Sequence, residues 1–360
     1  MITIKPLSDF LSEYVDRNIE NKYPPVAVGR YGIRTRESIY SKELAKDYSK
    51  NKLIRKNTLT VGMGSNQVDI GILSDDKIYS VSPAYHTYNI NGINVDYLRY
   101  CLEHRNQDMF IRYAKRGSRQ GKTIDFSRWL NYVIPVYSEE IQSKIVIKLN
   151  KISFIIRKRE ELLKLYDQLA HSLFIEMFGD PVENPKKWDI IQLHDRCDIV
   201  TGNTPAREKS EYYGNYIEWI KSDNINTDDM YLTVAEEYLS KKGLLVGRCV
   251  EAGSILMTCI AGSIGCIGNV GVANRKVAFN QQINAIVPNK DSNIFIYWLM
   301  VLSKKYIQGT VNMSLKGILS KGKLSELYFP FPPIELQHKF EKNAIVIDKS
   351  KYSYFSHLSA

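Results

Sequence analysis

Residues Glu139–Phe178 read EEIQSKIVIKLNKISFIIRKREELLKLYDQLAHSLFIEMF, and the spacing of apolar side chains in this stretch decides the architecture. Ile145, Leu149, Ile152, Ile156, Arg159, Leu163, Tyr166, Ala170, Leu173 and Met177 recur at alternating steps of four and three, a heptad seam that only Arg159 interrupts. No Pro or Gly falls between Val136 and Phe178, while Lys144, Lys148, Lys151, Arg157, Lys158, Glu160, Glu161 and Lys164 supply a solvated face. About 40 helical residues at 1.5 Å each make a rod of roughly 60 Å. A rod with so narrow an apolar stripe is expected to pair with another helix. The plainer alternative is one long core helix inside a single domain, but such helices rarely exceed about 25 residues. Gly179-Asp180-Pro181 ends the pattern, and Asn184-Pro185 prolongs the turn.

Working outward, the rod separates two basic blocks. Net charge is +7 over residues 1–135, −1 over 136–185, +3 over 186–333 and +1 over 334–360, for a total of +10. Two cationic modules on a neutral spacer point to a polyanionic partner. At 360 residues with 44% apolar side chains, each module can bury an ordinary core. The five cysteines, Cys101, Cys197, Cys249, Cys259 and Cys266, include no C-x-x-C pair. That argues against a disulfide framework or a zinc site and fits a reducing, cytoplasmic setting. MITIKPLSDF lacks a basic region followed by an apolar run, so no secretory signal is expected. Ala252 to Asn274 carries no charge, yet glycines at 262, 265, 268 and 271 favour buried strands joined by turns over a membrane span.

The two blocks share an internal repeat. Ile190-Ile191-Gln192-Leu193-His194-Asp195 resembles Ile4-Lys5-Pro6-Leu7-Ser8-Asp9 at an offset of 186. The stretch from Phe329 to Phe340 aligns with Ile134 to Ile145 at an offset of 195, matching Pro, Glu, Gln and Lys. Two matches bracketing similar lengths, each second one leading into a helix, favour a duplicated unit of globular module plus helix. The expected fold class is α+β. Strand-like runs are Leu59–Met63, Ile78–Val81, Ile255–Ile260 and Ala285–Val287, and helical runs are Val95–Glu103 and Phe295–Tyr306.

With these elements the sequence resembles the specificity (S) subunits of type I restriction-modification systems. The resemblance is strongest from Phe178 to Gln282. It is carried by Met177-Phe178-Gly179-Asp180-Pro181 with Asn184-Pro185 and Trp188, Thr201-Gly202-Asn203-Thr204-Pro205, Glu218-Trp219-Ile220, Ile264-Gly265 and Asn280-Gln281-Gln282. The run Pro330 to Gln337 also matches the lead into the family's second conserved helix. The first module lacks a G-x-T-P element but retains Gly62–Ser65 and Phe126-x-x-Trp129-Leu130. The resemblance implies two mixed α/β target-recognition domains, 1–135 and 179–333, separated by long conserved helices, 136–178 and 334–360, that form an antiparallel coiled coil. It implies double-stranded DNA with a split site as partner, two methyltransferase (M) subunits docked on the helices, and restriction (R) subunits. The complex would use S-adenosylmethionine, ATP and Mg2+ through those other subunits, with no cofactor on this chain. The second helix is expected to be short, since only 27 residues follow Pro333.

No enzyme motif is complete. Gly117-Ser118-Arg119-Gln120-Gly121-Lys122-Thr123 has three residues between glycines where a phosphate loop needs four. Tyr23-Pro24-Pro25 lacks the Asn or Asp of an amino-methyltransferase, and the six histidines are scattered. The chain is therefore read as non-catalytic, without a metal site. Phosphate contacts need Lys or Arg, and base edges need Arg, Lys, Asn, Gln, Ser or Thr on exposed loops. On that basis the first module offers Arg30, Arg34, Arg36 and Lys42, with Arg116, Arg119 and Lys122 as a second cluster. The second offers Thr204, Arg207, Lys209, Lys221, Ser222, Asn224, Arg275, Lys276, Gln281, Gln282, Lys316, Lys321 and Lys323. The helix-pairing set is Ile145, Leu149, Ile152, Ile156, Leu163, Tyr166, Leu173, Leu336, Phe340 and Ile347. Two other classes remain open at this point: a DNA-recognition fragment of a fused type II restriction-methyltransferase, and a coiled-coil scaffold that binds nucleic acid.

Overall fold

The computed structural model describes residues 2–29, 32–36, 47–116, 122–227, 229–311 and 317–352. The chain divides into two compact units, Met1–Arg157 and Lys158–Ala360, each with its own core. It mixes helices and sheets, as the α+β reading requires. The longest element is helix α2, Glu139–Phe178, which spans the predicted stretch.

In the first unit, Thr3–Pro6 pairs antiparallel with Val133–Val136, placing Ile4 opposite Pro135. The following four-stranded sheet has the order Leu11–Glu13, His86–Ile90, Thr58–Met63, Val68–Ile72, all antiparallel. The central strand Thr58–Met63 is buried on both faces except at Met63, so its alternate residues Thr58 and Thr60 are as covered as Leu59 and Val61. Helix α1, Val95–His104, begins at Asn94, whose side chain accepts from the Tyr97 N–H at 3.0 Å. Leu98 and Leu102 of α1 join Leu59, Val61, Tyr88 and Trp129 in the core.

The second unit repeats this plan. Ile190–Gln192 pairs with Tyr328–Pro330, and Ile190 stands opposite Pro330. These are the residues that the offsets of 186 and 195 assign to Ile4 and Pro135. The sheet order Cys197–Thr201, Ile283–Pro288, Ile255–Thr258, Val270–Val272 reproduces that of the first unit. Helix α3, Asn293–Leu302, is capped by Ser292, which accepts from the Phe295 N–H at 3.1 Å. Gln142 of α2 and Gln337 of helix α4, Ile334–Tyr352, occupy equivalent buried positions. Each accepts from the backbone N–H at the cap of its unit's helix, Asn94 at 3.0 Å and Ser292 at 3.1 Å. Each also donates to the carbonyl five residues back, Tyr137 at 2.8 Å and Pro332 at 2.9 Å. Such a buried amide is tolerated because its polar atoms are partnered.

The uncharged stretch Ala252 to Asn274 forms short strands, with Gly268 at φ +81° in a turn between them. No helix among the described residues is long and apolar enough to cross a membrane. Gly179 stops α2 at φ +81°, where Trp188 Nε1 donates to the Phe178 carbonyl at 2.9 Å.

The seam of α2 is corrected in detail. Ile152 and Ile156 are 52% and 54% exposed, whereas the fully covered side chains are Gln142, Val146, Ala170, Phe174 and Phe178. Ile145, Leu149, Leu163, Tyr166 and Leu173 are only half-buried. A helix that packs against a globular core as well as another helix needs a wider stripe than a two-stranded seam, and the deepest positions move round it. In the second unit Phe174, Phe178, Phe295 and Phe340 form one aromatic cluster, with ring centroids 4.9–5.6 Å apart. Leu336 and Ile347 pack half-buried around it, and Phe340 is fully buried. Beyond the cluster, Lys351 Nζ pairs with Asp167 and Arg159 Nη2 donates to the Lys351 carbonyl at 2.7 Å. Rising numbers on α4 meet falling numbers on α2, so these two helices are antiparallel within this unit. Arg159, the break in the seam, therefore serves the pairing as a hydrogen-bond donor.

Candidate nucleic-acid interface

Three motif segments of the second unit meet because strands from distant parts of the chain cross. The backbone of Gly202 lies so close to the Phe279–Asn280 carbonyls that a Cβ would stand 2.2 Å from the Asn280 oxygen. Only glycine fits this crossing. The Gly202 and Asn203 N–H groups donate to the Ile283 and Phe279 carbonyls at 3.0 and 3.1 Å. The loop is thereby held against residues 280–282, and Thr204 donates its hydroxyl to Gln281 Oε1. Asn203 is tied to Arg248 N and the Val246 carbonyl, both at 2.8 Å.

Beside this junction the strand Tyr213–Ile220 lays down two aromatic rings. The Arg207 guanidinium stands 4.7 Å from the Tyr213 ring centroid and 4.8 Å from that of Trp219. Lys221 Nζ is 5.6 Å from the Trp219 centroid, and Lys209 Nζ is 5.5 Å from that of Tyr212. Cations over aromatic faces are held in place at modest cost to their solvation. Glu237 lies between two of them, its Oε2 2.8 Å from Arg207 and its Oε1 paired with Lys221. The Lys221 hydrogen bond, and more weakly the Arg207 one, hold the Glu237 carboxyl below its ordinary range despite partial burial. Burial pushes the Tyr213 phenol up, so it stays a neutral donor to the Pro205 carbonyl at 2.6 Å.

Several predicted candidates are placed otherwise. Asn224 is buried, with its amide donating to Thr233 Oγ1 and the Val234 carbonyl at 3.1 Å each. Arg275 forms a fork on Glu218 at 2.5 and 2.6 Å and donates to the Leu232 and Thr233 carbonyls. Both are framework contacts inside the unit, and this fork holds the Glu218 carboxyl below its ordinary range. Gln282 receives from Asn280 and stabilises the turn, while Lys276 pairs with Glu251 at 2.5 Å. The Ser222 hydroxyl is buried without a hydrogen-bond partner among the described residues, and Lys323 donates to the Thr310 carbonyl. Lys321 is exposed on the short helix Lys321–Ser325.

In the first unit, Arg34 is exposed and lines a cleft of about 920 Å3 together with Arg99 and Arg157. The guanidinium of Arg36 lies 5.4 Å from the Tyr48 ring centroid. Arg116 and Lys122 are opposite one another in the register of Ala114–Arg116 with Lys122–Ile124. Arg30, Lys42, Arg119 and Lys316 lie outside the described residues. The sequence reading did not single out Glu237 or Arg99, and it placed Arg157 only on the solvated face of the long helix. Glu237 is 16 residues from Lys221, and only the pairing of Tyr238–Leu239 with Tyr213–Ile220 brings them together. No spacing rule carries that signal.

Residues 185–342 match the family model of the type I restriction modification DNA specificity domain. The chain is 29% identical over 162 residues to the type I restriction enzyme MjaIX specificity subunit of Methanocaldococcus jannaschii, covering 43% of this chain. It is 27% identical over 178 residues, 45% of this chain, to the HindI specificity subunit of Haemophilus influenzae. Both alignments span 36% of the relative's length. In fold it resembles the crystal structure of a type I restriction-modification S subunit from M. genitalium, with a TM-score of 0.58 at 17% identity. That match covers 100% of this chain and 92% of the other.

Proposed function

We propose that this chain is the sequence-reading subunit of a restriction-modification complex, a reading supported by the match of residues 185–342 to the type I restriction modification DNA specificity domain. Each of its two units reads one half of a split site on double-stranded DNA. The observation that carries this reading is the duplication itself. The same sheet order, the same capped helix and the same buried glutamine recur, so one chain holds two readers of one kind. On the second unit the Gly202–Pro205 loop, Trp219 and Gln281 converge beside Arg207, Lys209 and Lys221, a mixture of polar groups for base edges and cations for phosphates.

The chain itself does no bond-making. Methyltransferase subunits dock on its long helices and use S-adenosylmethionine, and restriction subunits use ATP and Mg2+. The complex acts in the cytoplasm. Methylome sequencing of a host expressing this chain with a type I methyltransferase subunit tests the reading. A split, adenine-methylated motif is expected. A continuous motif, or no new methylation, would refute it.

A further inference from the structure

Among the described residues, Glu237 is the one acid paired with two of the cations on the aromatic platform of the second unit. Each carboxylate oxygen takes a different cation, Oε2 the Arg207 Nη1 at 2.8 Å and Oε1 the Lys221 ammonium. Both cations also lie over the Trp219 ring, at 4.8 and 5.6 Å from its centroid. The acid is fixed from its backbone as well, since the Trp219 N–H donates to the Glu237 carbonyl at 2.9 Å. The three side chains are 53%, 36% and 32% exposed for Arg207, Glu237 and Lys221, so the group is open to a ligand from solvent. A carboxylate bridging a guanidinium and an ammonium presents two oxygens where a phosphodiester would present its two non-bridging oxygens.

We propose that Glu237 is a positioning residue that holds Arg207 and Lys221 as a ready-made phosphate clamp, occupying in the free chain the place that a DNA backbone phosphate takes on binding. This rests on the reading of the chain as a DNA-binding subunit and assigns a function to an acid within its cationic surface. The exchange is one anion for another, with no bond made or broken. While Glu237 is in place the clamp is neutralised by about one charge, and a loosely docked duplex gains little from it. A duplex seated in register brings a phosphate to the same point and displaces the carboxylate. The acid thus lowers affinity for DNA in general and leaves discrimination to the register.

The test measures binding of the full chain, as wild type, Glu237→Gln, Arg207→Ala and Glu237→Gln/Arg207→Ala, to a fluorescently labelled duplex of random sequence. Anisotropy is followed over a series of salt concentrations. The amide keeps the shape but not the charge, so Glu237→Gln should tighten binding about three- to tenfold at low salt. It should also steepen the dependence of log K on log salt by about one unit, because one more counterion is released. Arg207→Ala should remove that gain in the double variant. A merely structural role for Glu237 would leave the slope unchanged. If the wild type binds the duplex and Glu237→Gln binds no more tightly or with no steeper slope, the proposal is overturned while the DNA-binding reading stands. If neither the wild type nor Glu237→Gln binds at low salt, both fall together. The tryptophan emission spectrum and urea midpoint of each variant show whether it is folded.

Discussion

Replacing Arg196 with methionine strands a carboxylate in the interior of the second unit. The Asp291 side chain has 0% exposure. It receives Arg196 Nε at 2.7 Å, Arg196 Nη2 at 2.5 Å and Gln337 Nε2 at 2.7 Å. The group therefore ties together the start of strand Cys197–Thr201, the cap of α3 and the first turn of α4. Methionine keeps an apolar stem of similar length but removes the guanidinium, whose central carbon lies 5.0 Å from the Phe331 ring centroid, so the loss is chiefly electrostatic. Two of the three donors disappear, and breaking a buried pair from one side costs about 3–5 kcal/mol. Asp291→Asn alone removes the charge but keeps the shape, at a cost of about 1–3 kcal/mol. The double variant no longer buries an unpaired charge and should be more stable than the sum of the single losses by at least about 2 kcal/mol. Urea unfolding followed by the fluorescence of Trp188, Trp219 and Trp298, all in this unit, measures the cycle. A coupling below about 0.5 kcal/mol would mean that Asp291 reaches water, and the reasoning would fail.

Phe340→Ala removes a fully buried ring that packs against Phe174 and Phe178 and should cost about 3–5 kcal/mol in the same urea assay, by loss of burial and an unfilled cavity. A loss under about 1 kcal/mol would place α4 outside the core. Burial pushes the Asp348 carboxyl above its ordinary range, against the opposing pull of Lys351. Its folded form thus holds its proton more tightly than the unfolded chain, so the wild type should lose stability relative to Asp348→Asn as pH rises from about 4. Thermal melts of both proteins across pH would refute this if their difference were flat. Lys209→Ala should weaken DNA binding and lower the salt slope by about one unit. Asn224→Ala should instead leave the slope alone and lower stability by about 1–3 kcal/mol, because two backbone and side-chain partners lose a buried amide.

The long helix, its end at Gly179 and the repeat were legible because each is a local or periodic signal. Heptad spacing, a missing breaker and a run of matched residues need no knowledge of what lies across the fold. The repeat matched Ile190 to Ile4 and Pro330 to Pro135, and the fold then showed that each such set pairs within its own unit. The charge blocks identified two cationic modules in the same way, since charge is counted along the chain. What those signals left out was which side of the helix is buried deepest. Phe174 and Phe178 sit one position beyond the seam residues Leu173 and Met177, because the helix meets a sheet-and-helix core as well as α4.

The candidate site was legible only as residue types. Arginine is chemically able to grip phosphate wherever it stands, and sequence alone ranked Arg207 and Arg275 alike. Tertiary structure separated them: Arg275 is forked onto Glu218 inside the unit, while Arg207 lies on an aromatic surface open to solvent. It also supplied Glu237, brought to Lys221 by strand pairing across 16 residues. Sequence thus determined the long helix, the duplicated plan and the excess of positive charge, all properties that accumulate along the chain. The fold alone decided which cations face outward and which acid faces them, because side-chain burial and partnership depend on strands and helices that meet from distant positions.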